Sequence, residues 1–306
     1  MKKATYLLLC TLMLLFVVAN GQGQGIQEKI EKFGTNYATG YLSPMFSAFG
    51  ASMNSGWYHT ANVDDGLSLF FGAKLMYLPI PDDGKMFSMV SIYDNTVQND
   101  IPTLFGEEVE KPINGAPSGA SPSVYPKGLN LGFLPMVMPH VQIGNMYGTR
   151  LMLRYFPKTK LSDDIGEFEM FGIGAQHNVG KYIPVENPLP VDIAGMVAYQ
   201  SLKLGTFFSA TSFTFGVQAS KSFPVIDLYA GVAYETASMT IGYDATFTDP
   251  SNPSQNITQH IGFDADGANT IRGTIGFSLS LAILKINADY SLASQSAATL
   301  GIGFGW

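Results

Sequence analysis

The sequence predicts an all-β chain: a membrane-embedded antiparallel β-barrel of about twelve strands (ten to fourteen), with a short N-terminal amphipathic helix and a plug-like segment. Three observations carry this expectation. Segment after segment alternates apolar with small polar residues. No run after Val18 approaches the ~20 apolar residues of a transmembrane helix. Charged residues make up only 13% of the chain, about half the usual share for a soluble domain.

Residues 1–23 read as a secretory signal, with Lys2 and Lys3 ahead of an apolar run from Tyr6 to Val18 and small residues at Ala19-Asn20-Gly21. Removal would take away Cys10, the only cysteine, so the remaining chain could form no disulfide or thiolate metal site. It would also remove two lysines and no acid, leaving 15 basic against 24 acidic residues, a net charge of −9. Such a balance argues against nucleic acid as a partner.

Residues 24–65 form the expected helix and plug. Ile26, Ile30, Phe33, Tyr37 and Tyr41 recur at helical spacing, with Glu28, Lys29, Glu31 and Lys32 on the other face. From Leu42 to Asp65 the chain is rich in Ser, Gly, Ala and Asn, has no clear period and reads as irregular. It carries Trp57, Tyr58 and His59, which read either as a plug in the barrel mouth or as an interfacial aromatic anchor.

The barrel is expected over residues 66–306. Leu67, Leu69, Phe71, Ala73, Leu75 and Tyr77 share one face, opposite Ser68, Phe70, Gly72, Lys74 and Met76, and Pro81-Asp82-Asp83-Gly84 makes a turn. Leu151, Leu153 and Tyr155 alternate with Arg150, Met152 and Arg154; Phe213, Phe215 and Val217 alternate with Ser212, Thr214, Gly216 and Gln218. The run from Thr270 to Ile283 alternates throughout, and parity flips at Leu284-Lys285, as a tight turn or bulge would require. Strands this long can cross a bilayer at a tilt, and their polar faces carry Ser, Thr, Gly and Gln where a water-facing sheet would carry lysine and glutamate. The apolar face is therefore expected against outer-membrane lipid. Asp94–Lys127 and Thr248–Asn256 read as the long loops of the outer surface.

Charges on inward faces come next. Arg150 and Arg154 share a face, as do Glu167 and Glu169 across the stretch Pro157 to Gly166, and a hairpin would set Arg154 opposite Glu169. Charge on a lipid face costs about 2–4 kcal/mol near the midplane for Arg or Lys, so all four are expected in the lumen, as a structural pair or a selective lining. No metal and no cofactor is expected: His59, His140, His177 and His260 lack the close pairing of zinc sites. No nucleophile elbow, His-Glu-x-x-His or phosphate loop is present, so enzymatic activity is not expected. The last residues alternate Leu300, Ile302, Phe304 and Trp306 with glycines, which looks like a C-terminal strand signal for the barrel assembly machinery; Ile302, Phe304 and Trp306 would carry it.

With those residues laid out, the chain resembles the uncharacterised outer-membrane barrel proteins common in Bacteroidota. The likeness rests on Ser55-Gly56-Trp57-Tyr58, on Gly148-Thr149-Arg150-Leu151-Met152-Leu153-Arg154-Tyr155, on Gly174-Ala175-Gln176-His177-Asn178 and on the aromatic terminus. More distantly, the order of helix, Gly/Ala-rich segment and barrel is similar to the long-chain fatty-acid transporter family. That resemblance implies a plug and hydrophobic substrates, but this chain lacks an Asn-Pro-Ala motif after the N-terminal segment and is shorter. The expected place is the outer membrane of a Gram-negative bacterium. The expected function is passive transport or binding of a small hydrophobic molecule. The rival is a structural or surface-interaction barrel displaying its loops, and a third, more remote, is an integral outer-membrane lipid hydrolase.

Overall fold

The computed structural model describes residues 23–63, 66–162, 166–184, 189–249 and 252–306; the expected signal up to residue 22, Asp64 and Asp65 lie outside them. One helix, α1 (Gly23–Asn54), precedes β1 (Ser68–Pro79), β2 (Met86–Val90), β3 (Val97–Pro102), β4 (Lys111–Pro112), β5 (Val124–Tyr125), β6 (Phe133–Met146) and β7 (Thr149–Ser162). Then come β8 (Gly166–Asn178), β9 (Asp192–Leu204), β10 (Phe208–Ser222), β11 (Ile226–Asp249), β12 (Asn252–Asp266), β13 (Ile271–Leu281), β14 (Leu284–Leu292) and β15 (Ala297–Gly305).

Ten strands close an antiparallel ring, in the order β1-β6-β7-β8-β9-β10-β11-β13-β14-β15 and back to β1. The ring has two fewer strands than the twelve expected, because two stretches lie outside it. The first is the insertion at 80–132, between β1 and β6. The second is β12, which pairs with the far half of β11 (Ser238 to Asp249), whereas the near half (Ile226 to Tyr234) pairs with β13. The β11–β12 ribbon therefore continues past the ring at one mouth. At the opposite mouth the seam closes on the chain's end, where Leu69 and Trp306 exchange backbone hydrogen bonds of 3.2 and 3.1 Å.

The period-two pattern sorts side chains as the sequence implies. On β7, Leu151, Leu153 and Tyr155 point outward while Arg150, Met152 and Arg154 are buried inside. Phe71, Phe215, Ile275 and Leu292 are exposed on other strands, so an apolar face surrounds the ring. The expected turns are present at Asp82–Lys85 and between Leu281 and Leu284, where Ala282 takes a φ of 54°.

The helix departs from expectation. It continues past Tyr41 to Asn54, through a stretch read as irregular. Ala48, Ala51, Ser52 and Met53 are all nearly inaccessible. Over residues 50–54 the helix is buried all round and has no polar face to mark a period, and before that its outer side offers only the small Ser43 and Ser47. Pro44 lies inside it and offers no N–H to the Gly40 carbonyl; one position on, the Tyr41 carbonyl accepts from the Leu104 amide of the insertion at 2.8 Å. Gly40 is required there, because a Cβ would strike the Phe87 ring.

Nor is Asp94–Lys127 a loop. Together with β2 it forms a small folded cap whose Ile101, Phe105, Ile113 and Tyr125 belong to one core with Phe33, Tyr37 and Tyr41 of α1. Gln98 ties it, donating to the Pro112 carbonyl at 2.6 Å and accepting from the Asn114 amide at 2.9 Å. Lys127 lies 2.6 Å from Glu108 and holds that carboxyl below its usual range. The stretch Thr248–Asn256, also read as a loop, belongs to the β11–β12 ribbon apart from residues 250–251, which lie outside the described ones.

The β1–β15 seam is tight. A Cβ on Gly303 would sit 2.6 Å from the Phe71 carbonyl oxygen, whereas one on Gly273 in β13 meets nothing within 4 Å. Gly303→Val should lower the unfolding free energy by roughly 1–3 kcal/mol, the usual range for overpacking, and Gly273→Ala by much less. Urea unfolding in lipid vesicles, read by heat-modifiable gel mobility, measures both; equal effects would contradict this account of the seam.

Candidate functional site: the barrel interior

The inward faces are polar, as a ring with an apolar outer surface requires, yet at mid-lumen they are buried. Lys74, His140, Arg154, Gln176 and Gln200 have no accessible surface. What covers them is the chain ahead of β1. The C-terminal end of α1 points into the ring, and residues 55–63 continue along the interior.

A helix end leaves its last carbonyls without partners and carries a partial negative charge. Here two arginines of the wall meet it. Arg154 of β7 donates to the Met53 carbonyl at 3.0 Å and to the Ser55 carbonyl at 2.5 Å. Arg272 of β13 donates to the Ala51 carbonyl at 3.3 Å and to Ser55 Oγ at 2.9 Å. Gly56, with a φ of +67°, then turns the chain out of the helix. That turn brings the Trp57 ring beneath Arg154, whose guanidinium carbon lies 3.9 Å from the ring centroid. Trp57 Nε1 donates back to the Met53 carbonyl at 3.0 Å.

Wall side chains hold the rest of the segment by its backbone. Gln142 of β6 donates to the Trp57 carbonyl at 3.1 Å, and Gln176 of β8 to the Thr60 carbonyl at 2.7 Å. Arg150 donates to the Asn62 carbonyl at 2.9 Å, and Ser220 Oγ of β10 accepts from the Ala61 amide at 3.0 Å. Tyr58 packs edge-on against Tyr229, whose hydroxyl donates to Asp289 at 3.0 Å. His59 packs against Phe70, with ring centroids 5.3 Å apart. Beside Asp289, a cavity lined by Asn54, Tyr58, Thr214, Arg272 and Thr274 has room for about one water molecule.

Trp57, Tyr58, His59, Arg150 and Arg154 thus come together inside the ring. Glu167 and Glu169 do not. They share the outward parity of Phe171 and lie at the strand end, half-exposed, where Lys158 and Lys203 pair with them at 2.7 and 3.7 Å. In the register of β7 and β8, Arg154 stands opposite Gly172, and Glu169 stands opposite Lys203 of β9. Charge is tolerated on the outer face there because the cations and acids neutralise each other at the rim.

The interior carboxylate facing an arginine is Glu235 of β11, in a buried ion pair with Arg272. Sequence reasoning passed over it. Its one signal is an acid inside an alternating strand, with nothing local to name a partner 37 positions away. Among the described residues, no group of three or more His, Cys, Asp or Glu side chains could hold a metal ion. Ile302, Phe304 and Trp306 lie exposed on the outer face of β15 and at its end.

Breaking a buried pair strands a charge, at a cost of about 3–5 kcal/mol. Arg272→Met and Glu235→Gln should each destabilise on that scale, and the double variant by clearly less than their sum. Unfolding free energies in lipid vesicles measure this; strict additivity would remove the pair as a determinant of stability.

Several solved outer-membrane proteins are similar in structure. The attachment invasion locus protein Ail of Yersinia pestis is 10% identical with a TM-score of 0.25, over 79% of this chain and 99% of that one. A FadL homologue of Pseudomonas aeruginosa is 10% identical with a TM-score of 0.24, over 85% and 96%. OmpT, an outer membrane protein of Vibrio cholerae, is 10% identical with a TM-score of 0.25, over 79% and 100%. At these TM-scores none of them bears on function. A search of curated protein sequences finds no match. Over residues 1–306 the chain matches the Family of unknown function (DUF6588), and it belongs to that family.

Proposed function

We propose that this protein is a closed barrel of the Gram-negative outer membrane whose work is done on its capped mouth, as a structural or surface-interaction protein. One observation carries the reading: the polar side chains at mid-lumen have no accessible surface, so no water path runs past them. An open pore would leave them wet. Ten strands make a ring only slightly wider than the eight whose interior side chains alone can fill, and a single peptide segment takes up the difference.

Orientation follows from loop length. Barrels of this class keep short turns on the periplasmic side and long excursions outside. The mouth beside Trp306 has tight turns at 147–148, 223–225 and 282–283, plus the longer 179–191. The other mouth carries the 80–132 insertion and the β11–β12 ribbon. The capped mouth is the outer one in this reading, and Ile302, Phe304 and Trp306 lie toward the periplasm, where the assembly machinery would engage them.

The cap has features of a docking surface. Val90, Ile92, Val97 and Val109 are each about half exposed or more, and Val90 pairs directly with Val97 between β2 and β3. An exposed apolar pair such as Val90 and Val97 favours a protein partner. Residues 80–132 contain seven acids against three lysines, which favours a partner of basic character.

Passage of a small hydrophobic molecule would require residues 55–63 to leave the lumen and strand the arginines that hold them. Purified unmodified protein in planar bilayers should therefore show no conductance steps, and cells lacking it should take up hydrophobic probes at the parental rate. Steady conductance, or a loss of uptake restored by the gene, would overturn the display reading in favour of transport.

A further inference from the structure

The chain enters the ring by one mouth and leaves by the other. In the N-terminal half of α1, Tyr37 stacks on Tyr125 of the insertion and Phe33 packs against it tilted, with centroids 5.7 and 5.5 Å away. The helix then reaches Arg154 and Arg272 inside the wall, and the segment passes on to Arg150 near the start of β7 and Ser220 near the end of β10. Asn62 Nδ2 meets Asp192, the first residue of β9, at 3.3 Å. Thr149, Asp192 and Ser222 all belong to the mouth that holds Leu69 and Trp306. β1 starts there and returns along the wall.

We infer that the N-terminal segment is an additional, non-strand crossing, so that α1 begins on the cell surface while Trp306 ends the chain on the periplasmic side. A closed ring of ten strands starts and finishes at one mouth. The threaded segment alone moves the N-terminal side to the other. Trp57 is 1% exposed and sits between Arg154 and the wall, held by contacts on every side. It is too wide and too well held to be drawn through a finished ring, so the strands close around it, with the β1–β15 seam completing the enclosure. The surface that results joins three pieces, α1, the insertion and the β11–β12 ribbon, and α1 adds exposed positions such as Thr35 and Asn36 to it. This inference rests on the orientation given under Proposed function.

Single cysteines test it, in a Cys10→Ala background that has no other cysteine. Thr35→Cys reports α1, Ser118→Cys the insertion and Ser222→Cys the opposite mouth; all three positions are exposed. A membrane-impermeant maleimide should label Thr35→Cys and Ser118→Cys equally in intact and permeabilised cells, and Ser222→Cys only after permeabilisation. Labelling of Ser118→Cys in intact cells with Thr35→Cys reached only after permeabilisation would overturn the threading and leave the orientation standing. Intact-cell labelling of Ser222→Cys, with the other two protected, would overturn the orientation and the inference with it. Each variant is first checked for heat-modifiable mobility, so that only folded barrels are counted.

Discussion

The interior depends on one interaction: the carboxyl end of a helix meeting two buried guanidinium groups. Arg154 and Arg272 project from opposite parts of the ring, and each places donors on carbonyls that the helix itself cannot satisfy. A buried arginine with too few acceptors is costly, and so is a buried helix end with free carbonyls. Each offsets the other, and the helix dipole adds attraction of the right sign. Neither the wall nor the segment would be stable in this form without its counterpart. A ring lacking the segment would have to admit water to its arginines.

The rest follows from that constraint. The ring must be polar inside to receive a peptide backbone, and it is, through Gln142, Gln176 and Ser220 as well as the arginines. It must be narrow enough for one segment to fill, and ten strands achieve this. The helix must be held at the mouth so that its end points inward. The insertion holds it, through Tyr125 and Phe87 against Tyr37 and through the Leu104 amide on the Tyr41 carbonyl. Glu235 offsets part of the positive charge that this arrangement brings inside.

Much of the ring was legible in the sequence, because strand faces obey a period of two whatever their partners. Leu151 and Arg150 could be sorted by parity alone. The interior was less legible, since contacts such as Arg272 with Glu235 or Gln176 with Thr60 join distant positions that carry no local signal. Glu167 and Glu169 misled for a different reason. Their parity was readable as outward, but charge was expected inside because a lipid face penalises it. That penalty lapses at a strand end, where lysines are at hand. From Leu42 to Asn54 helical periodicity fades because the helix is buried on all sides over 50–54 and shows only small residues such as Ser43 and Ser47 on its outer side before that, and small residues suited to close packing resemble a loop.

The central claim, that residues 55–63 fill the lumen and exclude water from it, can be read from a single side chain. Of the two tryptophans, Trp57 is 1% exposed in the lumen and Trp306 is 68% exposed at the end of the chain. Trp306→Phe leaves Trp57 as the sole reporter and keeps an aromatic terminus. In the folded barrel in lipid vesicles, acrylamide should quench Trp57 far less than in the urea-unfolded chain. Quenching of the folded variant as strong as that of the unfolded chain would mean that water reaches the middle of the ring, and would contradict the account.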